Sequence, residues 1–179
     1  MDLDEFIARY VQPSKQHNCF YHFTDGQNIA SIRQHGILST RQLSANGIKV
    51  PAPGGNDWSM EADRRVGMDG YVHLTFLTGH PMEYHARRDG RIKSLNYLNI
   101  HPAIIKFPGV MITNEVANKA GVIPRVASEM LDQLDLEVIY RWTDWKDLAV
   151  KERLKIAHKY EILIPDRVPQ NFIGNLGNG

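Results

Sequence analysis

The sequence predicts an α+β fold, and three features carry that prediction. Short β-rich runs and short amphipathic stretches are mixed along the chain without a regular strand–helix–strand alternation, which argues against a doubly wound sheet. No internal repeat is visible. The 179 residues, 42% hydrophobic and 23% charged, suit one domain around one core without disulfide or metal staples. The expected organisation is a single domain over residues 1–170 followed by a flexible tail over 171–179.

Each element is read from its own local signal. Leu3, Phe6, Ile7, Tyr10 and Val11 recur at helical spacing, so residues 3–11 form an amphipathic helix that Pro13 stops. Cys19–Phe23 is an aromatic-rich strand. Asp25 caps a helix over 26–35, with Ile29 and Ile32 facing inward and Gly36 ending it. From Ser44 to Gly70, prolines and glycines interrupt any periodicity, which predicts a long mobile loop bordering the functional site. Tyr71–Phe76 is a strand, and Pro81 opens a helix that ends near Gly90. Ala103–Phe107 is a β-rich run that Val110–Ile112 continues. Residues 126–134 and 144–157 are helical. Tyr160–Ile164 is a strand ending at Pro165-Asp166. Three glycines and three asparagines in the last nine residues predict fraying.

Composition excludes several classes of function. The only cysteine, Cys19, rules out an internal disulfide and suits a reducing cytoplasm. The first ten residues carry acids where a secretory signal carries bases, and no apolar run approaches the roughly 20 residues of a membrane span. A net charge of +1 argues against broad adhesion to duplex DNA or acidic lipid, although it permits a local basic groove. Neither GxGxxG nor a Walker sequence is present, so any nucleotide is bound without those motifs.

Four segments, over residues 20–39, 71–82, 108–118 and 160–169, together resemble the DarT family of DNA ADP-ribosyltransferase toxins. Phe20-Tyr21-His22-Phe23-Thr24-Asp25, continuing through Asn28-Ile29, Ser31-Ile32 and Gly36-Ile37-Leu38-Ser39, resembles the family's opening YHFT…N…SI…GLLS. Tyr71-Val72-His73-Leu74-Thr75-Phe76 with His80-Pro81-Met82 is similar to its DYV…F strand and PM helix start. Pro108-Gly109-Val110 through Thr113 to Ala117-Asn118 is a looser match. Tyr160-Glu161-Ile162-Leu163-Ile164-Pro165 with Val168-Pro169 resembles the segment that carries the family's glutamate. One departure stands out: the thymidine-specific branch usually has Phe-Tyr-Phe where this chain has Leu74-Thr75-Phe76.

The resemblance implies an ADP-ribosyltransferase-like fold, with a split mixed or antiparallel sheet and short flanking helices. It also implies NAD as substrate without a metal, a base of single-stranded DNA as acceptor, a macrodomain antitoxin as partner, and no membrane. Breaking the nicotinamide–ribose bond develops positive charge on the ribose, so a nearby carboxylate is needed. Strand alternation sets Glu161 and Leu163 opposite Tyr160, Ile162 and Ile164, and Glu161 fills that role. The resemblance makes His22 a holder of the ribose hydroxyls, with Thr24, Asn28 and Tyr71 also binding the cofactor. An arginine would grip the pyrophosphate or position the reacting groups; Arg65 is preferred, with Arg64 the alternative.

Glu161, His22 and the arginines each admit a competing reading. Glu161 alone reads as a solvated glutamate on a half-exposed strand, His22 as a core histidine, and the arginines as a solvated pair. His80, Glu83 and His85 are metal-ligand types without a zinc motif. Arg87, Arg88, Arg91 and Lys93, flanked by Tyr84 and Tyr97, could track a nucleic-acid backbone or could simply be a charged helix end. Trp142 and Trp145 could stack on bases. Beyond a DNA transferase, the sequence admits an ADP-ribosyltransferase acting on RNA, protein or a small molecule, or a non-catalytic NAD or nucleic-acid binder.

Overall fold

The computed structural model describes residues 1–141, 144 and 146–176. The helices are α1 (Leu3–Phe6), α2 (Ile29–His35), α3 (Thr40–Ala45), α4 (Asp57–Val66), α5 (Pro81–Arg88), α6 (Ala127–Met130), α7 (Leu136–Tyr140) and α8 (Leu148–Ala157). The strands are β1 (Phe20–Asp25), β2 (Ile37–Leu38), β3 (Tyr71–Thr75), β4 (Leu95–Ile100), β5 (Met111–Thr113), β6 (Arg125–Val126), β7 (Glu161–Pro165) and β8 (Arg167–Val168). Six strands form one sheet in the order β4-β1-β3-β7-β5-β6, and β2 pairs with β8 in a second. Every pairing among the described residues is antiparallel, so the α+β expectation holds.

The main sheet is split. β1 pairs with β4 over six positions, from Phe20↔Ile100 to Asp25↔Leu95, and β3 pairs with β7 over five. β1 and β3 meet at a single pair, Tyr21↔Thr75. Beyond it a side chain does the work of a ladder bond: His22 Nδ1 donates to the His73 carbonyl at 3.0 Å. The strands diverge there, and the gap opens the cavity described below.

One face of the sheet is closed by an aromatic cluster of Phe6, Phe20, Phe76 and Tyr140, with ring centroids 5.6–6.5 Å apart. Offset and edge-on contacts at these distances suit the ring quadrupoles. Val72, Leu74, Ile162 and Ile164 project into this core. Leu163 lies on the opposite face with Met68 and Ala117, so the alternation read from residues 160–164 is present and both faces are covered.

The local signals mostly resolve as expected. Asp2 caps α1 through the Glu5 N–H, and the helical path widens over Ile7–Val11. Asp25 accepts from the Gln27 N–H at the head of a tight turn leading into α2, and Gly36 ends α2 at φ 77°. Three expectations are corrected. The 44–70 segment is not one long loop, because α3 ends in it and α4 occupies Asp57–Val66, capped by Asn56 on the Ser59 N–H. Ala103–Phe107 is not a strand. His101 accepts from the Ala103 N–H and Pro102 starts a 3₁₀ turn, a geometry that proline's fixed φ favours.

The tail is also shorter than expected, since residues 171–176 are docked. Gly174 N–H donates to the Asn99 carbonyl, Asn175 bonds the Asn99 N–H and the Tyr97 carbonyl, and Arg33 holds the Leu176 carbonyl. Trp142 and Trp145, considered for stacking, lie outside the described residues. No described helix is long and apolar enough to cross a membrane.

Candidate active site

The gap between β1 and β3 opens into a cavity of about 430 Å³, walled by α2, β2, α3, the 50–55 segment and α4. That volume lies within the ordinary range of small-molecule sites. Strand alternation sets the floor. Tyr71, His73 and Thr75 of β3 line the cavity, while Leu74 faces the core and Val72 touches both. Register then brings Glu161 beside Thr75 on one side and Thr113 on the other.

Glu161 is the centre of the arrangement, with its side chain only 4% exposed. Its Oε2 accepts from His73 Nδ1 at 3.0 Å and from the Ala117 N–H at 3.0 Å. Its Oε1 lies 3.1 Å from His80 Nε2. Burial alone would raise this carboxyl, but the His73 charge and the hydrogen bonds from His73 and His80 outweigh it and hold the group at about 2. The carboxylate is ionised at neutral pH, and the reading of a solvated surface glutamate is excluded.

His80 is held from two sides. Its Nδ1 accepts the Met82 N–H, so it caps α5, and its ring stacks on Phe23 at 6.5 Å. An Nδ1 that accepts leaves the proton on Nε2, which faces Glu161. His22 has the opposite tautomer. Its Nδ1 donates to the His73 carbonyl, and burial pushes its pKa down. A neutral His22 keeps Nε2 as a hydrogen-bond acceptor on a residue that lines the cavity.

The other expected residues divide. Thr24 and Tyr71 line the cavity. Asn28 lines it too, but its amide is occupied by the Thr24 hydroxyl at 3.0 Å and by both backbone groups of Ala52, at 2.7 and 3.1 Å. It therefore ties the 50–55 wall to β1. Arg65 is outside: its side chain is 75% exposed and pairs with Glu61. Helical spacing explains this, because Met60, Asp63 and Arg64 share the cavity face of α4 and Arg65 is turned about 100° away.

Residues not singled out from sequence complete the site: His73, Asp63 and the Ala117 N–H. The signal for His73 was present, since it shares the odd positions of YVHLT with Tyr71. Its pairing with Glu161 depends on sheet register, which local sequence does not show. The Glu83 cluster serves the scaffold. Glu83 accepts from the Tyr97 hydroxyl, the Gly79 N–H and Arg87, and among the described residues no His/Cys/Asp/Glu group is arranged to hold a metal. Arg88 and Arg91 pair with Asp89, while Tyr84 is exposed with the Arg88 guanidinium 6.0 Å from its ring centre.

Comparison with solved structures identifies the architecture. The chain superposes on the Thermosipho africanus DarTG in complex with ADP-ribose with a TM-score of 0.69 at 21% identity, covering 87% of this chain and 42% of that one. It superposes on the Thermus sp. 2.9 DarT in complex with ADP-ribosylated ssDNA with a TM-score of 0.64 at 18% identity, covering 89% of this chain and 82% of that one. The same Thermus protein with NAD+ gives a TM-score of 0.56 at 18% identity, covering 89% and 81%. No curated protein matches the sequence. The split antiparallel sheet is thus an ADP-ribosyltransferase-like fold. The family profile described as ssDNA thymidine ADP-ribosyltransferase, DarT, matches residues 21–177, and the chain belongs to the DarT family.

Proposed function

We propose that this chain is an NAD-dependent ADP-ribosyltransferase that modifies a base in single-stranded DNA, acting as a toxin paired with a macrodomain antitoxin. The observation that carries this reading is Glu161, held ionised at the floor of a cavity of suitable size. In the reaction the ribose–nicotinamide bond breaks, nicotinamide leaves with the electron pair, and a nucleobase nitrogen bonds to the ribose carbon and loses its proton. A fixed anion beside the ribose stabilises the positive charge that develops before the new bond is complete. His22 accepts a ribose hydroxyl through Nε2, Thr24 and Tyr71 contact the same ligand, and Asn28 holds the wall around it. The solved Thermus protein, bound to NAD+ or to ADP-ribosylated ssDNA, supports the assignment of both substrates.

Labelled NAD offered with single-stranded DNA, RNA and protein in separate reactions tests the reading. Label on DNA is the expected result, and single strands carrying one type of base each would name the acceptor. Label confined to RNA or protein, or no transfer, would overturn it.

Two substitutions probe the cofactor wall. His22→Ala removes one hydrogen bond to the ligand, worth about 1–3 kcal/mol, so Kd for NAD should rise roughly 5- to 150-fold by calorimetric titration. A large drop in melting temperature with unchanged affinity would restore the core-histidine reading. Of the two arginines, Arg64 takes the role first given to Arg65. Arg64→Ala should lower kcat/KM, whereas Arg65→Ala, losing an exposed ion pair worth about 1 kcal/mol at most, should leave it near wild type. Equal losses in the two variants would count against this placement.

A further inference from the structure

His73 has an oxygen acceptor opposite each ring nitrogen. Its Nδ1 lies 3.0 Å from Glu161 Oε2 and its Nε2 lies 3.4 Å from the Met68 carbonyl oxygen. A carbonyl oxygen only accepts, and so does an ionised carboxylate. Both ring nitrogens thus face acceptors, an arrangement that suits an imidazolium. The charged and titratable groups around the ring agree with this. Glu161 faces it from β7 and Asp63 from α4, both carboxyl groups. From β1, His22 is neutral and donates to the backbone carbonyl of His73 rather than to its ring. From the start of α5, His80 reaches only the far oxygen of Glu161. Burial works against the cation, yet the Glu161 charge and hydrogen bond, together with Asp63 and the Met68 carbonyl, carry His73 up to about 9.

The same contacts orient the carboxylate. Oε2 is filled by two donors, His73 Nδ1 and the Ala117 N–H, while Oε1 lies 3.1 Å from His80 Nε2. We propose that His73 is a positioning residue for the transfer reaction: a fixed imidazolium that orients Glu161 through Oε2 and whose charge sets the acidic limit of activity. The kinetic part of this proposal rests on the transferase reading above, and the spectroscopic part does not.

Two measurements test it. The first is nitrogen NMR of the full chain labelled at histidine, without substrate, the His73 signals being assigned by their loss in His73→Asn. Near pH 7.5, about one unit above an ordinary histidine, both His73 nitrogens should be protonated. A neutral tautomer would overturn the proposal whether or not the protein transfers ADP-ribose. The second is the pH profile of kcat/KM for wild type, His73→Asn and His73→Phe. Asn keeps a neutral donor toward Glu161, and Phe keeps neither donor nor charge. Wild type should hold its activity down to about pH 5, where the carboxylate remains ionised. In both variants the His73 charge no longer opposes the burial of Glu161. Activity should then fall at least about tenfold between pH 8 and pH 5, with Asn retaining more than Phe at pH 8. Variant profiles parallel to wild type would reduce His73 to a structural role and overturn the proposal.

Discussion

Glu161→Gln is expected to lower kcat for transfer by about 10²–10⁴-fold, roughly 3–5 kcal/mol of barrier, the loss typical of a removed base or electrostatic partner. Gln keeps the length of the side chain, and its single oxygen can still accept from Ala117 and His73. It cannot supply the negative charge. An interaction realised chiefly in the transition state affects kcat far more than apparent NAD affinity. The substitution also strips the His73 imidazolium of its counter-ion, so stability should change with a defined sign. His73 is raised above its unfolded value, and the stabilisation it contributes is full below about pH 6.5 and lost as pH rises through about 9. Glu161 is depressed, and its contribution is full above about pH 4.3 and lost as pH falls toward about 2. The melting-temperature gap between wild type and Glu161→Gln should therefore be widest near pH 5–6 and narrow as pH rises through about 9. Time-resolved transfer to single-stranded DNA at matched folded concentration, with melts at three pH values, reads both effects. Near-normal activity in the variant would sink the assignment of Glu161.

Gly36→Ala is the substitution expected to cost the fold most. Gly36 ends α2 at φ 77°, and an added Cβ would stand 2.3 Å from the Val168 carbonyl oxygen. The neighbour is backbone, held in the β2–β8 pair by Ile37↔Val168, and cannot swing away. Backbone strain and overpacking together come to about 2–6 kcal/mol. At this chain length that lowers the melting temperature by about 5–20 °C. The damage reaches function because Ile37, Leu38 and Ser39 wall the cavity directly after the glycine. Gly90→Ala is the control: its φ is 74° and nothing lies within 4 Å of the added carbon, so it carries the strain without the collision. Equal melting shifts for the two variants would show that the contact with Val168 is unimportant.

The contrast between legible and hidden elements follows from what each side chain faces. Residues 160–164 were readable because alternation, branched side chains and a terminal Pro165-Asp166 all agree, and Asp166 does turn the chain at φ 60°. The α4 helix was hidden because its inner surface meets a ligand cavity. Ser59, Asp63 and Arg64 stand where a core-facing helix would show apolar residues, and Trp58 is 77% exposed. Strand β4, LNYLNI, carries asparagines that read as turn, yet Asn99 uses its backbone to receive residues 174 and 175. At the candidate site, His22 and Glu161 both line the cavity, as their own segments suggest. The pairing of His73 and His80 with Glu161 was not legible there, since it arises from the register of β3 on β7 and from the cap of α5.

The docked segment after β8 has a further consequence for how the molecule behaves among copies of itself. β4 is the outermost strand of the six, and such a margin is a template on which a foreign strand can add. Here the template is already used. Phe172 takes the His101 N–H, Ile173 bridges Ile100, and residues 174 and 175 satisfy Asn99 and the Tyr97 carbonyl. Arg33 then clamps the Leu176 carbonyl from α2. A stretch whose composition suggests fraying is thus the selvedge of the sheet, keeping strangers from being woven onto it.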